Sequence, residues 1–435
     1  MLSFAFLLFV STTSKIVNDH VERTYKINQN LITVTVTARF TNQGKEPINE
    51  YAFSVTPREG LCIGKTTASF NEQSARSFLH SLSTRRDGDN FYVNLGRQVI
   101  PDETVTLVFV YTLGDYFRFL RQTIQLNQKI GLYFSTSKYY LSNYQTTQSK
   151  ITIEGITKSQ ILSKPNDPDL KVQTNQISIH YDQSSISASE NTELFEIEFT
   201  TSGSLPRIDE INSRTVVSHW GKTKQSAFYS ITNAGPKFVG EFNRIDFTPQ
   251  SPCFLQNLNM VPPKGAYNFW ADDESGQLQK EMNLQGNNLE IPLRGPMLSS
   301  WKATFTVGWT MNTDTVISGH YRYNAPLLTP FIAAPVSKAS AEIILPEGAQ
   351  VTRVSVPVWA NFSELTEVHN LDLHGRLVIR IEAEQLASKD IIPITIEYTL
   401  DYSFNFLKIL LLGAAFSVIF CGIAISRRID LSITV

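Results

Sequence analysis

The sequence has few cysteines and no excess of either charge. Only three cysteines occur in 435 residues, which excludes the disulfide framework of small extracellular modules, so the core must form by hydrophobic burial. The net charge is −2, and no run of five like charges occurs. Without a basic face, a nucleic-acid platform is excluded as well, and no nucleic-acid partner is expected.

The short motifs of common enzyme classes are missing too. The sequence contains no G-x-S-x-G, Walker loop, H-E-x-x-H or C-x-x-C, and with them the usual nucleophile, phosphate-binding, zinc and redox signatures are absent. His369 and His374 stand five residues apart, so a single strand would place them on opposite faces, which disfavours a metal site. Asp272–Gly276 lacks the alternating ligands of a calcium loop and predicts a solvated turn. We assign no catalytic, cofactor-binding or metal-binding residue, although carboxylates that the fold brings together stay open as an acid–base pair.

Apolar stretches without charge occur near both ends of the chain, a short one at the N-terminus and a long one near the C-terminus. Leu2–Val10 has the length of a signal-peptide core, and small and polar residues follow it, which predicts a cleaved signal peptide. Near the other end, Ile409–Ile425 holds no charge in seventeen residues and, with the residues leading into it, predicts a membrane helix. Lys408 is expected to extend its amine to the headgroups. Arg427 and Arg428 follow the helix and predict a cytosolic C-terminus, hence a type I single-pass protein.

Small side chains in this helix would allow close packing against partner helices in the membrane, with Ser417 adding a hydrogen bond. The candidates are Gly413, Ala414, Ser417 and Gly422.

Alternation of apolar and polar residues dominates the rest of the chain. Ile32–Phe40 is the clearest example and predicts a half-buried antiparallel strand,. Similar strands recur between turn signals, whereas helical periodicity is confined to two short candidates, Gln73–Leu82 and Glu382–Ala387. The fold class is therefore mainly β, with sandwich-like domains.

Two weak sequence similarities between the first and second halves of the chain, called echoes below, predict a pair of related β domains in tandem. Val105–Phe119 resembles Ile392–Phe404, and an Arg-Thr pair begins a strand both at Arg23 and at Arg214. The predicted organisation is a signal peptide (1–14), lumenal β domain 1 (15–205), lumenal β domain 2 (206–403), the membrane helix (404–426) and a short cytosolic tail (427–435).

The stretch Arg214–Thr223 gathers a serine, a histidine and a tryptophan. Ser218 and His219 are neighbours, and on a strand neighbours point to opposite faces, so they cannot form a Ser–His relay. Trp220 is interpreted as a core or interface anchor. The stretch is therefore expected to have a structural role and not a catalytic one.

Two further sites follow from the predicted topology. Asn361 begins an N-x-S sequon in the predicted ectodomain and is a candidate for N-glycosylation. Two alternatives stay open for Cys62 and Cys253: a disulfide bond in an oxidising compartment, or two separate buried thiols.

Six segments that follow one another along the chain resemble the ribophorin I family, and the first of them is Val21–Thr24 at the start of the predicted mature chain. The pattern around Arg214, Ser218, His219, Trp220 and Gly221 carries the resemblance most clearly. The four that follow it along the chain are Gly240–Asp246 with Arg244 and Asp246, Ser300–Trp309 with Trp301 and Lys302, Leu345–Ala349, and Arg428–Thr434.

The resemblance implies an accessory, non-catalytic subunit of the oligosaccharyltransferase complex of the endoplasmic reticulum membrane, without a cofactor of its own. Its implied partners are the catalytic and other subunits, nascent polypeptide chains, and lipid around one helix. Some family members continue past the membrane into a long cytosolic segment, whereas this sequence stops at Val435, so a docking role of that segment is not carried over. A single-pass adhesion or receptor ectodomain is the first alternative, and a membrane-tethered hydrolase is the second.

Overall fold

A computed structural model describes residues 16–70, 82–182, 193–201, 203–218, 222–241, 254–278, 282–312, 315–317, 320–327, 334–356, 360–369, 372–387 and 393–427. The predicted signal peptide and most of the tail lie outside these ranges. So do most of Gln73–Leu82 and Cys253.

The first half of the chain forms fifteen strands and one short helix among the described residues. These are β1 (Ile16–Asn28), β2 (Leu31–Asn42), β3 (Ile48–Ser54), α1 (Pro57–Cys62), β4 (Ile63–Ser69), β5 (Thr84–Asp87), β6 (Asn90–Val99), β7 (Thr104–Gly114), β8 (Arg118–Phe119), β9 (Thr123–Ile124), β10 (Ile130–Ser137), β11 (Gln145–Glu154), a 3₁₀ turn (Lys158–Gln160), β12 (Ile161–Ser163), β13 (Lys171–Val172), β14 (Gln176–Asp182) and β15 (Leu194–Thr201).

The second half adds sixteen strands and the long C-terminal helix. These are β16 (Pro206–Val216), β17 (Thr223–Asn233), β18 (Lys237–Phe238), β19 (Phe254–Met260), β20 (Tyr267–Asp273), β21 (Gly276–Gln277), β22 (Asn283–Gln285), β23 (Asn288–Leu298), β24 (Lys302–Met311), β25 (Thr315–Ile317), β26 (His320–Pro326), β27 (Pro335–Ile344), β28 (Ala349–Ser355), β29 (Asn361–Glu367), β30 (Arg376–Ala387), β31 (Pro393–Leu400) and α2 (Ser403–Ser426). The expected mainly β class with one C-terminal apolar helix is confirmed.

Each half buries one face of a large sheet. In the first half the strand order is β13-β14-β11-β1-β2-β7-β4, and alternate residues of β2, such as Val34 and Val36, are buried while their neighbours are half-exposed. Smaller sheets pack on this buried face, as the contact between Phe53 of β3 and Phe109 of β7 shows, with ring centroids 4.3 Å apart. Burial of such aromatic rings, together with the aliphatic side chains around them, stabilises the fold.

The second half repeats the arrangement of the first. Its large sheet has the order β21-β20-β24-β17-β16-β27-β30-β29, so β16, β17, β24 and β27 occupy the places of β1, β2, β7 and β11. In both halves the opening strand pairs in parallel with a late strand, β1 with β11 and β16 with β27. Asn18 bonds Thr146 in one half and Asn212 bonds Ser340 in the other, and each pair is 128 residues apart.

The two sequence echoes differ in how they relate to this repeat. Arg23 and Arg214 lie on the equivalent strands β1 and β16, but Arg23 is buried and Arg214 is half-exposed, so the two side chains occupy different faces. The other echo does not match equivalent strands. Val105–Phe119 covers β7 of the large sheet, whereas β31 belongs to a four-stranded sheet with β25, β26 and β28.

One predicted element is wrong. Glu382–Ala387, a candidate helix, is the end of β30, because its backbone pairs with β27 from Val336↔Leu386 to Ser340↔Glu382. Leu386 and Ala387 are buried there, and tertiary pairing outweighs the local preference of a short segment.

Gly155 follows β11 in a backbone conformation that requires glycine. Its φ is +93°, and a Cβ at this position would lie 2.2 Å from the carbonyl oxygen of Ile27 in β1. At the end of β11, where the chain leaves its parallel pairing with β1, any side chain at position 155 would therefore clash with the backbone of Ile27.

Two hydrophobic cores correspond largely to the two halves, although Phe254 and Leu298 of the second half belong to the first core. Leu205 belongs to the first and Ile208 to the second, and β16 begins at Pro206. With the repeated strand order, this supports our proposal of two tandem domains that meet between residues 205 and 206.

Candidate functional site: the junction of the second β half and the C-terminal helix

A group of charged residues joins α2 to the second β half of the chain. The Lys408 Nζ lies 3.1 Å from Asp372 Oδ1 and is also in contact with Glu347 Oε2. The side chains of Asp372 and Glu347 are 0% and 2% exposed, and that of Lys408 is 25% exposed. The Lys408 amine, which is expected to extend to the headgroups, is held by two buried carboxylates. We call Glu347, Asp372, Arg376 and Lys408 the junction cluster.

Tight turns position the two carboxylates. Glu347 stands in the turn between β27 and β28, within the segment Leu345–Ala349, and its Oε1 accepts the amide N–H groups of Leu373 and His374 at 2.7 Å each. The turn between β29 and β30 is thereby fastened to the turn before β28. Charge-assisted hydrogen bonds of this kind are about twice as strong as neutral ones.

Asp372 completes the cluster from the turn between β29 and β30. Its Oδ2 accepts the His369 amide N–H at 3.0 Å and the Arg376 Nε–H at 3.0 Å. Two cations thus face two carboxylates, so the cluster is neutral as a whole, which buried charges require.

The electrostatic balance lowers the pKa of both acids. Burial alone would raise the pKa of Glu347, but the ion pair with Lys408 and the amide groups of His374 and Leu373 outweigh burial. Burial opposes ionisation of Asp372 too, and the bonds from Arg376, the His369 amide and Lys408 outweigh it, so that its pKa is also lowered. Both groups are therefore carboxylates at neutral pH.

These lowered pKa values predict a pH dependence. A carboxyl group whose pKa is lower in the folded state stabilises the fold above its unfolded pKa and loses this contribution as pH falls toward its folded pKa. We expect the free energy of unfolding to fall as pH drops below about 5, given unfolded values near 4. Denaturant unfolding of the detergent-solubilised chain at several pH values measures this.

The matched variant for this test is Glu347→Gln with Asp372→Asn. It should show a flatter profile between about pH 5 and 3. A variant profile parallel to that of the wild type would contradict the assignment of this pH dependence to the junction cluster.

The predicted site residue Lys302 lies next to a second group of polar contacts, which links the two halves. Asp115 of the first half accepts the Asn30 amide at 2.6 Å and an Arg207 N–H at 3.3 Å. Arg207 also donates to Asp209 at 2.7 Å, and Lys302 Nζ lies 3.6 Å from the same carboxyl group. Burial alone would raise the pKa of Asp209, but the bonds from Thr232 and Arg207 lower it. Lys302, whose side chain is largely exposed, touches these contacts only through Asp209 on the side of the second half.

Arg214 lies on the outer face of the eight-stranded sheet. Its guanidinium donates to both carboxylate oxygens of Glu367, at 2.6 and 2.7 Å, and lies 3.6 Å from Glu342. A shallow cavity of about 430 Å³ opens on this face between β16, β27 and β30. Asn361 stands at the edge of the same sheet, exposed and opposite Glu382 of β30, where a glycan would meet solvent.

The other predicted residues are dispersed. Trp301 is 52% exposed beside the turn residue Ser300, whose φ is +68°. Ser218 is half-buried just after β16. His219, Trp220, Gly221, Arg244 and Asp246 lie outside the described residues, so the position of Trp220 stays a prediction.

The membrane helix shows one internal bond among its small residues. Phe406–Ser426 is apolar enough to cross a bilayer, with mean hydropathy 2.5, and none of it is buried by the described part of the chain. The Ser417 hydroxyl donates to the Gly413 carbonyl at 2.8 Å, so its proton is used within the helix. Gly413, Ala414 and Gly422 are exposed along it.

Among the described residues, few features indicate catalysis or metal binding. Within the described ranges, no three His, Cys, Asp or Glu side chains are grouped as metal ligands. Asp273 of the predicted acidic turn is paired with Arg294 at 2.6 Å. Cys62 is a free, half-buried thiol whose pKa is raised by burial, which makes it less reactive. The arrangement is suited to holding domains and a helix in place.

Comparison with known proteins gives one family. A family profile described as "Ribophorin I" matches residues 16–427. The chain is 23% identical over 454 aligned positions to "Dolichyl-diphosphooligosaccharide--protein glycosyltransferase subunit 1A" of Arabidopsis thaliana, covering 98% of this chain and 72% of that one. It is 22% identical to subunit 1 of the same name from Caenorhabditis elegans, covering 95% of this chain and 72% of that one.

Among solved structures, an M1 zinc metallopeptidase from Deinococcus radiodurans overlaps 48% of this chain and 46% of its own, with 11% identity and a TM-score of 0.23. A likeness of this size carries no argument about function.

Proposed function

Because the chain belongs to the ribophorin I family, we propose that it is an accessory, non-catalytic subunit of the oligosaccharyltransferase complex of the endoplasmic reticulum. The observation that carries the proposal is the family match across residues 16–427. The names of the plant and nematode relatives, which are subunits of a dolichyl-diphosphooligosaccharide–protein glycosyltransferase, support it.

In this proposal the protein is a type I protein of the endoplasmic reticulum membrane with its two β domains in the lumen. The catalytic subunit performs the transfer, and this chain supports assembly and contacts nascent polypeptides. The junction cluster supports such a role, because an ion-paired helix start restrains the ectodomain relative to the bilayer. A restrained ectodomain presents its surfaces to partners at a fixed height, which lowers the entropic cost of assembly.

The membrane helix supplies the intramembrane contact in this proposal. Gly413 and Ser417 lie four residues apart and so share one face of α2, where small side chains permit close approach of a partner helix. Ala414 and Gly422 extend the set of small residues. Lipid surrounds the rest of the helix.

Purification through a tag at Val435 in mild detergent tests the proposal. We expect the catalytic subunit and other oligosaccharyltransferase subunits to copurify. Recovery of the chain without any such subunit would refute the proposal, and labelling at the surface of intact cells would favour the receptor alternative.

A matched pair of helix variants sharpens this experiment. Gly413→Leu with Ser417→Leu should lower the recovered catalytic subunit about fivefold, the effect of losing about 1 kcal/mol of helix packing. Val418→Leu with Ile419→Leu keeps the hydrophobicity and should recover as much as the wild type. Equal recovery from both variants would place the intramembrane contact elsewhere.

A further inference from the structure

Exposed apolar side chains occur on both elements that the junction cluster joins. Val368 and Leu373, on the two sides of the turn between β29 and β30, are 69% and 39% exposed. On the helix side, Tyr402 and Phe406 are 56% and 68% exposed. We call these four residues the apolar collar. Exposed aliphatic and aromatic side chains near such a junction indicate an interaction surface.

The junction cluster fixes the depth of this surface. Lys408 lies within the apolar span that begins at Phe406, and its Nζ is 3.1 Å from Asp372 Oδ1. The residue after Asp372 is Leu373. A turn whose aspartate touches the first turns of a membrane span lies at the level of the headgroups, where Tyr and other amphipathic side chains are favoured.

The charges of the junction cluster are already neutralised within the protein. Asp372 is paired with Arg376 and Lys408, and Glu347 with Lys408. Moving the turn against lipid therefore exposes no unpaired carboxylate to the low-dielectric side of the interface, which would otherwise be costly.

We propose that the turn carrying Val368 and Leu373 rests in the headgroup region of the bilayer on the ectodomain side, with both side chains inserted toward the acyl boundary. The protein then contacts the membrane at two points, the helix and this turn. Burial of a few aliphatic side chains at the boundary is the basis of interfacial anchoring. The inference goes beyond the proposed function and does not depend on which complex the chain joins.

Fluorescence quenching in nanodiscs tests this placement. An environment-sensitive label is attached to Val368→Cys in a full-length chain with Cys62→Ser, Cys253→Ser and Cys421→Ser, in phosphatidylcholine nanodiscs with nitroxide-bearing lipid. Leu162→Cys is the matched control, since Leu162 is an exposed aliphatic residue, 58% exposed, in the first half of the chain. We expect at least about twofold stronger quenching at position 368 than at position 162.

Leu373→Cys provides an independent second position and should also be quenched more strongly than the control. An unfolding midpoint equal to that of the cysteine-free chain shows that the labelled variants are folded. Quenching at positions 368 and 373 no stronger than at position 162 would overturn the proposal. So would a surface that is unquenched in lipid and becomes shielded only when the other subunits are present, since it would then belong to a partner protein.

Discussion

Replacing Lys408 by methionine is expected to destabilise the protein by about 3 kcal/mol, at the low end of the loss seen when one partner of a buried ion pair is removed. Methionine keeps the length and the apolar stem of lysine but leaves the buried Glu347 without a cation. Asp372 retains Arg376, and Lys408 is itself 25% exposed, so the loss is not at the upper end. Denaturant unfolding in detergent measures it.

Amide exchange locates the effect. The amides of Leu373 and His374 bond Glu347, and they should exchange faster in the Lys408→Met chain while amides of β1 and β2 keep the wild-type rate. Lys164→Met, at an exposed position, is the matched control and should leave stability unchanged.

A double-mutant cycle separates the ion pair from simple packing. In a Glu347→Gln, Asp372→Asn background, Lys408→Met should cost less than about 1 kcal/mol, because no buried charge is left unpaired. A cost that is the same in both backgrounds would show that the lysine stem, and not its charge, holds the helix.

Changing Gly155 to alanine is expected to cost about 3 kcal/mol or more, because two penalties combine. The φ of +93° is strained for any residue with a side chain, and the new methyl would lie 2.2 Å from the Ile27 carbonyl oxygen. That oxygen belongs to the backbone of β1 at Ile27, which is paired with Ile32 of β2, and it cannot move without disturbing this strand. Thermal and denaturant unfolding measure the loss.

Gly88→Ala is the control for this change. Gly88 also has a positive φ, +60°, but a Cβ there meets nothing within 4 Å. It should cost about 1 kcal/mol, the strain of the left-handed conformation alone. Equal losses at positions 88 and 155 would mean that the contact with Ile27 is relieved at no cost.

The strands themselves could be predicted from the sequence, and their pairing could not. Alternation in Ile32–Phe40 identifies β2 because one face of that strand is buried. Nothing local indicates that β1 pairs in parallel with β11, since parallel pairing is decided by packing between distant segments. For the same reason the echo between Val105–Phe119 and Ile392–Phe404 suggested an equivalence that the sheets do not have.

The junction cluster was missed in a similar way. Lys408 was recognised because it interrupts an apolar run, and Leu345–Ala349 because it resembles a family segment. The connection between them requires Glu347 and Asp372, which lie in two different turns, to reach the same lysine. Glu347 is followed by a glycine, and the ordinary interpretation of such a pair is a solvated turn. A charged residue at the start of a membrane helix is the one sequence signal that could have prompted a search for a buried partner.

The parallel strand pairs determine when each half can fold during synthesis. β1 cannot complete its sheet until β11 has been made, and β16 must wait for β27, a separation of 128 residues in both cases. Contacts this distant in sequence form slowly and leave strand edges open meanwhile. Lys408 is made later still, so Glu347 and Asp372 have no lysine partner until the membrane helix emerges. Closure of the junction cluster therefore belongs to the last stage of biogenesis, when the finished ectodomain and its anchor are first present together.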